Sequence, residues 1–400
     1  MILKNFKSLL PLKPVLAVGF LFAASSLLFG TWVAAIPAIK ERFSFTDGSL
    51  GLMLLFSPLG AITGVFVSTK IFSKIPVGKW MLAGYLFLCV IMILQINSVN
   101  PFMLGACLYS FGLVSFLNGV SANATVSLME KKYDRLLMSS CHALYSLGGA
   151  ASAGLAALMV SLNIVHGWQI VLVVAVIVTV IFSNRHLLLA NRDIIHSGSG
   201  IKLPSLHVLG ISFICMILFM TEGCVADWSG IYFKEVLKAP AIYVSMGYGV
   251  FAIAMTIGRL NGDYLVSQTG NKKAVIWGCL LASAGFVLVI ATPVILISLL
   301  GYIIIGFGCS CIVPVLFRAS ANIPGLSKVE GFAMVTTGGL IGFLAGPSLI
   351  GFISEKVGLS AGLSLLIIMT LLAAIVAWRN QFLVNKQDKI MDETCDEQLY

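Results

Sequence analysis

Two carboxylates share one apolar stretch of this chain, Glu222 and Asp227, and Trp228 and Tyr232 follow them. A carboxyl group in low-dielectric surroundings can load a proton and release it as water access changes. Five residues at about 100° each set the two acids well apart around a helix, so they are not a paired dyad. Glu222 lies deeper in the stretch and is the better proton-site candidate. Asp227, Trp228 and Tyr232 lie near its end and could form a gate, although Trp and Tyr are also common interface anchors. His142 titrates near neutral pH, and Ser146 lies one turn beyond it on the same face. Asn123 stands in the preceding apolar stretch. Counted out from the basic loop Lys131–Arg135, Asn123 and His142 are equally far in, roughly 14 Å at 1.5 Å per residue. At one depth on adjacent helices, they can hydrogen-bond each other or a solute. Glu130, nearer the loop, reads equally well as a surface charge or a functional one.

A second constellation is Gly258-Arg259-Leu260-Asn261-Gly262-Asp263. Gly258 and Gly262 lie one turn apart and let a neighbouring helix approach closely. Arg259 and Asp263 form an i, i+4 pair on one face. Neither HExxH nor GxxxxGK[ST] occurs in the sequence. Cys and His show no metal-ligand spacing. The expectation is a protein that is not an enzyme and uses no metal or cofactor.

These groups must be positioned by membrane helices. Of 400 residues, 59% are hydrophobic and 10% charged, with a mean hydropathy of +1.01. Roughly 25% charge is usual for a soluble domain, which excludes an ordinary cytosolic enzyme or DNA-binding protein. Uncharged runs at 14–39, 48–69, 203–221, 239–258, 331–354 and 357–378 each fit one span of about 20 residues. The longer runs 80–129, 136–184 and 274–317 each fit two, making twelve spans. With the N-terminus inside, 20 Lys and Arg residues fall on the inner side and 5 on the outer. The positive-inside rule then places both termini in the cytoplasm, and the net charge of +9 is a topology signal that calls for no nucleic acid. Residues 14–39 read as the first span, with no cleavable signal peptide. Eight of the nine cysteines fall inside spans and read as small packing residues.

The longest polar connection divides the chain near its midpoint. The reading is a six-helix half at 1–184, a cytoplasmic linker at 185–204, a second half at 205–380 and a tail at 381–400. The halves repeat each other in places. Gly60 and Gly64 match Gly258 and Gly262, and Leu104-Gly105 with Phe111-Gly112 matches Leu300-Gly301 with Phe307-Gly308. Transporters are commonly built from such repeats, with the substrate between them.

The stretch Gly258–Lys273 resembles the signature loop of the major facilitator superfamily, and the two six-helix halves are similar to that family over essentially the whole chain. Asn123 with Glu130, His142–Gly149, and Glu222–Ser229 with Tyr232 resemble its MosC/YbjJ-like branch. The resemblance implies that Gly258, Arg259, Gly262 and Asp263 form a cytoplasmic latch on one alternating state. It implies a central cavity with Thr31, Trp32, Phe251, Met255 and Pro314 as plausible lining positions, and it implies a monomer. Two departures stand out. Val65 replaces the acid in the first-half copy of the loop, and Gly119 stands where the branch carries an acid four residues before Asn123.

The expectation is an all-α membrane protein of twelve transmembrane helices in two pseudo-symmetric bundles. It would sit in a bacterial-type inner membrane and move a small polar solute, sugar- or cyclitol-like, by proton-coupled alternating access. The alternatives are a multidrug or metabolite exporter of the same fold and a non-transporting membrane receptor.

Overall fold

A bilayer core offers no water to unpaired peptide groups, so each apolar run must close its own hydrogen bonds as a helix. The computed structural model describes residues 12–135, 137–164, 166–194, 206–320, 323 and 328–383. Among these are twelve helices long and apolar enough to cross a membrane, and no strand. The first half holds α1 (Lys13–Arg42), α2 (Asp47–Phe72), α3 (Val77–Ile96), α4 (Pro101–Tyr133), α5 (Ser140–Ser161) and α6 (Gly167–Leu189). The second holds α7 (Val208–Val236), α8 (Ala241–Gly262), α9 (Asn271–Ala291), α10 (Ile295–Ser320), α11 (Ala333–Val357) and α12 (Leu359–Arg379). Helix α6 runs on to Leu189, past the expected end of the first half at residue 184. Most of the expected linker and tail, including Asp388–Glu397, lies outside the described residues.

Local chemistry sets the helix ends that matter for the site. Asn100 Oδ1 accepts from the Met103 N–H at 2.8 Å, and Pro101 opens α4 with its φ already helical. The helix stops where Asp134 turns left-handed, at φ 49°. Glu130 then reaches over the loop. Its Oε1 accepts the N–H groups of Leu137 at 2.7 Å and Met138 at 2.8 Å, two donors that the start of α5 could not satisfy itself. Glu130 is therefore a staple between α4 and α5, and it fixes their relative height.

The repeated glycines do the same job in both halves. Gly60 and Gly64 press against Tyr109 and Phe116 of α4, and Gly258 and Gly262 press against Ser310 and Cys311 of α10. Helix α10 breaks at Cys311, three residues before Pro314, which lacks an N–H and crowds the carbonyl of Ser310 one turn back. The last turn of α7, Tyr232–Val236, is a π-helix. The eight cysteines outside the tail are buried free thiols.

The halves meet through α1 with α7, α2 with α11, and α5 with α8. On the side opposite the termini, Ser348 Oγ of α11 donates to the Gly51 carbonyl of α2 at 3.0 Å. Ser245 Oγ of α8 donates to the Ala153 carbonyl of α5 at 3.1 Å.

Candidate functional site

A chain of polar side chains crosses from one half to the other at mid-depth. The Glu130 staple brings Asn123 of α4 level with His142 of α5, and Asn123 Oδ1 lies 3.2 Å from His142 Nε2. Asn123 Nδ2 donates back to the Gly119 carbonyl at 2.9 Å, so its oxygen faces the imidazole. The Phe22 ring of α1 packs edge-on to His142, with centroids 5.2 Å apart. One turn along α5, Ser146 Oγ accepts from Arg259 Nη1 of α8 at 3.0 Å. Arg259 Nη2 stands 3.5 Å from Glu222 Oε1 of α7. The two charged side chains are 19% and 21% exposed. Glu222 Oε1 is itself buried and has no hydrogen-bond partner. Behind Arg259, the Tyr248 hydroxyl and Ser26 Oγ converge on Gly149, where a methyl group would crowd both.

The structure thus brings together Asn123, His142, Ser146 and Glu222, which were expected as substrate or proton-site residues. It adds Arg259, which was expected to pair with Asp263 one turn further along the chain. The long side chain of Arg259 reaches Glu222 of α7 and Ser146 of α5. Gly258 and Gly262 keep their close-packing role against α10. The Asp263 side chain lies outside the described residues, and so does the latch it would complete.

Trp228 and Tyr232 lie further along α7, apart from this polar chain. Both are fully buried. Trp228 Nε1 donates to the Pro347 carbonyl of α11 at 3.2 Å, and the Tyr232 hydroxyl donates to the Val289 carbonyl of α9 at 2.6 Å. They tie α7 to its neighbours within the second half, where an apolar ring with one polar tip suits a buried carbonyl. Asp227 is half-buried and makes no hydrogen bond or ion pair among the described residues. Of the lining positions that the resemblance implied, Thr31 Oγ1 is bound to Ser152 Oγ at 3.0 Å, Trp32, Phe251 and Met255 are buried, and Pro314 marks the break in α10.

Sequence reasoning missed an ionic cluster on the side opposite the termini. Lys40 Nζ of α1 contacts Asp47 at 2.6 Å and Glu235 of α7 at 2.7 Å. Beside it, Lys234 Nζ of α7 contacts Glu41 of α1 at 2.5 Å. The signal was present: α1 and α7, the first helices of the two halves, both carry Lys-Glu in their last turn. Behind the cluster is a cavity of about 180 Å³ lined by Ala34, Pro37, Lys234, Val244 and Ser245.

The sequence model of the Major Facilitator Superfamily matches residues 16–327. The chain belongs to that superfamily. This transporter is 31% identical over 358 residues to an uncharacterized MFS-type transporter of Yersinia pestis, covering 89% of this chain and 93% of that one. It is 25% identical over 365 residues to the membrane protein MosC of Rhizobium meliloti, covering 90% and 88%. Its fold is similar to the crystal structure of a D-xylose-proton symporter, with TM-score 0.70, 14% identity and coverage of 92% and 98%. The transporter is thus a multi-pass membrane protein of the twelve-helix type, and the polar chain spans the contact between its two bundles.

Proposed function

We propose that the protein is a secondary active transporter that carries a small polar solute across the inner membrane by alternating access, coupled to protons. Both termini would face the cytoplasm, a reading supported by the distribution of basic residues, and the working unit would be a monomer. The observation that carries this reading is Glu222: a buried carboxylate oxygen with no hydrogen bond, 3.5 Å from an arginine that also holds the opposite half. Protonating Glu222 removes its hold on Arg259, so one proton can alter how the halves are joined. Intramembrane ionisable groups in such settings mark ion and substrate paths. Asn123, His142 and Ser146 offer donors and acceptors for a polar solute beside it. Asp227, nearer the far side and without a hydrogen bond or ion pair among the described residues, would relay protons between Glu222 and water, while Trp228 and Tyr232 hold α7 in shape. Gly258, Arg259, Gly262 and Asp263 retain the latch reading as part of this proposal.

The test begins with thermal-shift titration of detergent-purified protein against sugars, cyclitols, amino sugars and a drug panel. A ligand that binds only the folded state stabilises it by about 2.7 kcal/mol at 100 times its dissociation constant. The best-binding compound is then followed into proteoliposomes. Glu222→Gln should abolish uphill accumulation under a proton gradient and leave solute exchange intact. Normal accumulation by that variant would remove Glu222 as the coupling site. Stabilisation by amphipathic cations alone would replace the solute carrier with a drug exporter.

A further inference from the structure

Arg259 is a permanent cation placed at mid-depth, and its surroundings say what it can bind. Of its five N–H donors, one is committed to Ser146 at 3.0 Å. Another faces Glu222 Oε1 at 3.5 Å, beyond the 2.7–3.2 Å range of a good N–H···O bond. The carboxylate therefore balances the charge of Arg259 without satisfying its donors, and its own oxygen is left without a hydrogen bond. When Glu222 takes up a proton, that balance disappears. A partly buried guanidinium without a counter-ion is strongly unfavourable, and a solute that restores the charge is bound in proportion.

We propose that the transported solute carries a carboxylate, which takes the place of Glu222 on Arg259 when Glu222 is protonated. This deepens the reading of Glu222 as the proton site and rests on it. A carboxylate fits the fork of a guanidinium with two parallel bonds, and it is the group the site already accommodates. One fixed cation matches one negative charge, which favours a monoanion over a phosphate dianion. Ser146 and the Asn123–His142 pair would then meet the hydroxyl groups of the same molecule. The proton comes from the aqueous phase on the loading side and leaves with the anion on the other, so a monoanion moves without net charge. The titratable groups within electrostatic reach of Glu222 are Arg259, Tyr145 of α5, Tyr248 of α8, Cys215 of α7 and Cys309 of α10. His142 of α5 feels Arg259, and Asp227 stands five residues further along α7. Among the described residues, Glu222 is the acid in contact with the guanidinium.

The probes are matched pairs that differ by a carboxylate: D-glucuronate with D-glucose, and D-gluconate with sorbitol, with acetate as the smallest anion. Thermal-shift titrations of the full chain are run in mildly acidic and mildly alkaline buffer, and the binding probes are followed into proteoliposomes. The carboxylate of each pair should bind and its neutral partner should not, with tighter binding in acid. Glu222→Gln, which mimics the protonated acid, should bind acetate and both sugar acids alike in the two buffers. Arg259→Lys should weaken binding by about tenfold or more. The double variant Arg259→Gln/Glu222→Gln carries no buried charge to disturb folding and should bind no anion. Binding of the neutral partners as tightly as the acids overturns the proposal. So does a Glu222→Gln protein that binds none of the three anions, or a double variant that binds them still. If neutral solutes bind and accumulate under a proton gradient, the carrier reading stands and the anion falls. If anions bind through Arg259 but an imposed gradient drives no uptake, the anion site stands and the coupled carrier falls.

Discussion

Lys40 of α1 and Glu235 of α7 are joined at 2.7 Å, and the reverse pair, Lys234 of α7 with Glu41 of α1, stands beside them. The same dipeptide at the end of the first helix of each half meets its copy across the pseudo-two-fold axis. Such a contact is self-complementary, like the interface of a symmetric dimer. Lys234 of this cluster also lines the cavity that Ala34 and Ser245 share.

The two pairs should not matter equally. Lys40 is 10% exposed and neutralises both Asp47 and Glu235, so Lys40→Ala leaves two neighbouring carboxylates without their cation. Glu41 is 73% exposed, and a pair so open to solvent is screened by salt. In an Ala34→Cys reporter protein, adding Lys40→Ala should raise labelling by a membrane-impermeant maleimide several-fold. Adding Lys234→Ala should raise it less, and high salt should remove the difference between Lys234→Ala and its parent. Equal labelling in all three proteins would show that the clasp does not hold this side closed.

Tyr232 distinguishes a gate from a brace. Its hydroxyl serves the Val289 carbonyl near the end of α9, where carbonyls have no partner within their own helix. Tyr232→Phe should therefore destabilise the protein by about 1 kcal/mol, seen as a lower midpoint of thermal unfolding. Solute affinity and transport rate per folded molecule should be unchanged. A change in affinity with no loss of stability would return Tyr232 to the solute path.

Much of this was legible because it depends on counting. Charge-free runs gave the twelve spans, and equal distance from a loop put Asn123 beside His142. What failed to show was whatever depended on the far end of a long side chain. Arg259 has a local partner in sequence at Asp263, and nothing in the spacing says that it turns to Glu222 on another helix. Lys40 and Lys234 were counted as loop charges, since a residue at the end of a span looks the same whether it meets water or its counterpart. Trp228 and Tyr232 look like interface anchors because their composition is amphipathic. Only the packing of α9 and α11 shows that their polar tips meet carbonyls inside the bundle.

Glu130 links the loop to the polar chain. Its carboxylate accepts two backbone N–H groups at the start of α5, and hydrogen bonds to a charged group are worth about 1.5–3 kcal/mol each at most. Glu130→Ala should lower stability by about 2 kcal/mol, and Glu130→Gln, which keeps an acceptor, by less. Because the staple sets the height of α5 against α4, the alanine variant should also weaken binding of the cognate solute where the glutamine variant does not. Loss of stability in Glu130→Ala with solute binding intact would mean that the α4–α5 register holds without it.

Gly60 and Gly119 are both helical glycines of the first half, yet they should respond oppositely to alanine. A methyl group on Gly60 would run into the backbone carbonyl of Tyr109, whereas nothing lies within 4 Å of one on Gly119. Backbone cannot swing aside as a side chain can, so Gly60→Ala should separate α2 from α4 and destabilise by about 1–3 kcal/mol. Gly119→Ala fills open space and removes glycine's excess freedom in the unfolded chain, so it should be neutral or stabilising by up to about 1 kcal/mol. Thermal unfolding of the two variants side by side checks both signs. The Gly119 result carries further, since Gly119 is itself the position at which the resemblance to the MosC/YbjJ-like branch implies an acid. If Gly119→Ala is tolerated, Gly119→Asp tests whether a second carboxylate, one turn from Asn123, changes the proton dependence set by Glu222. A severe loss of stability in Gly119→Ala would show that the space is needed for helix movement or solute.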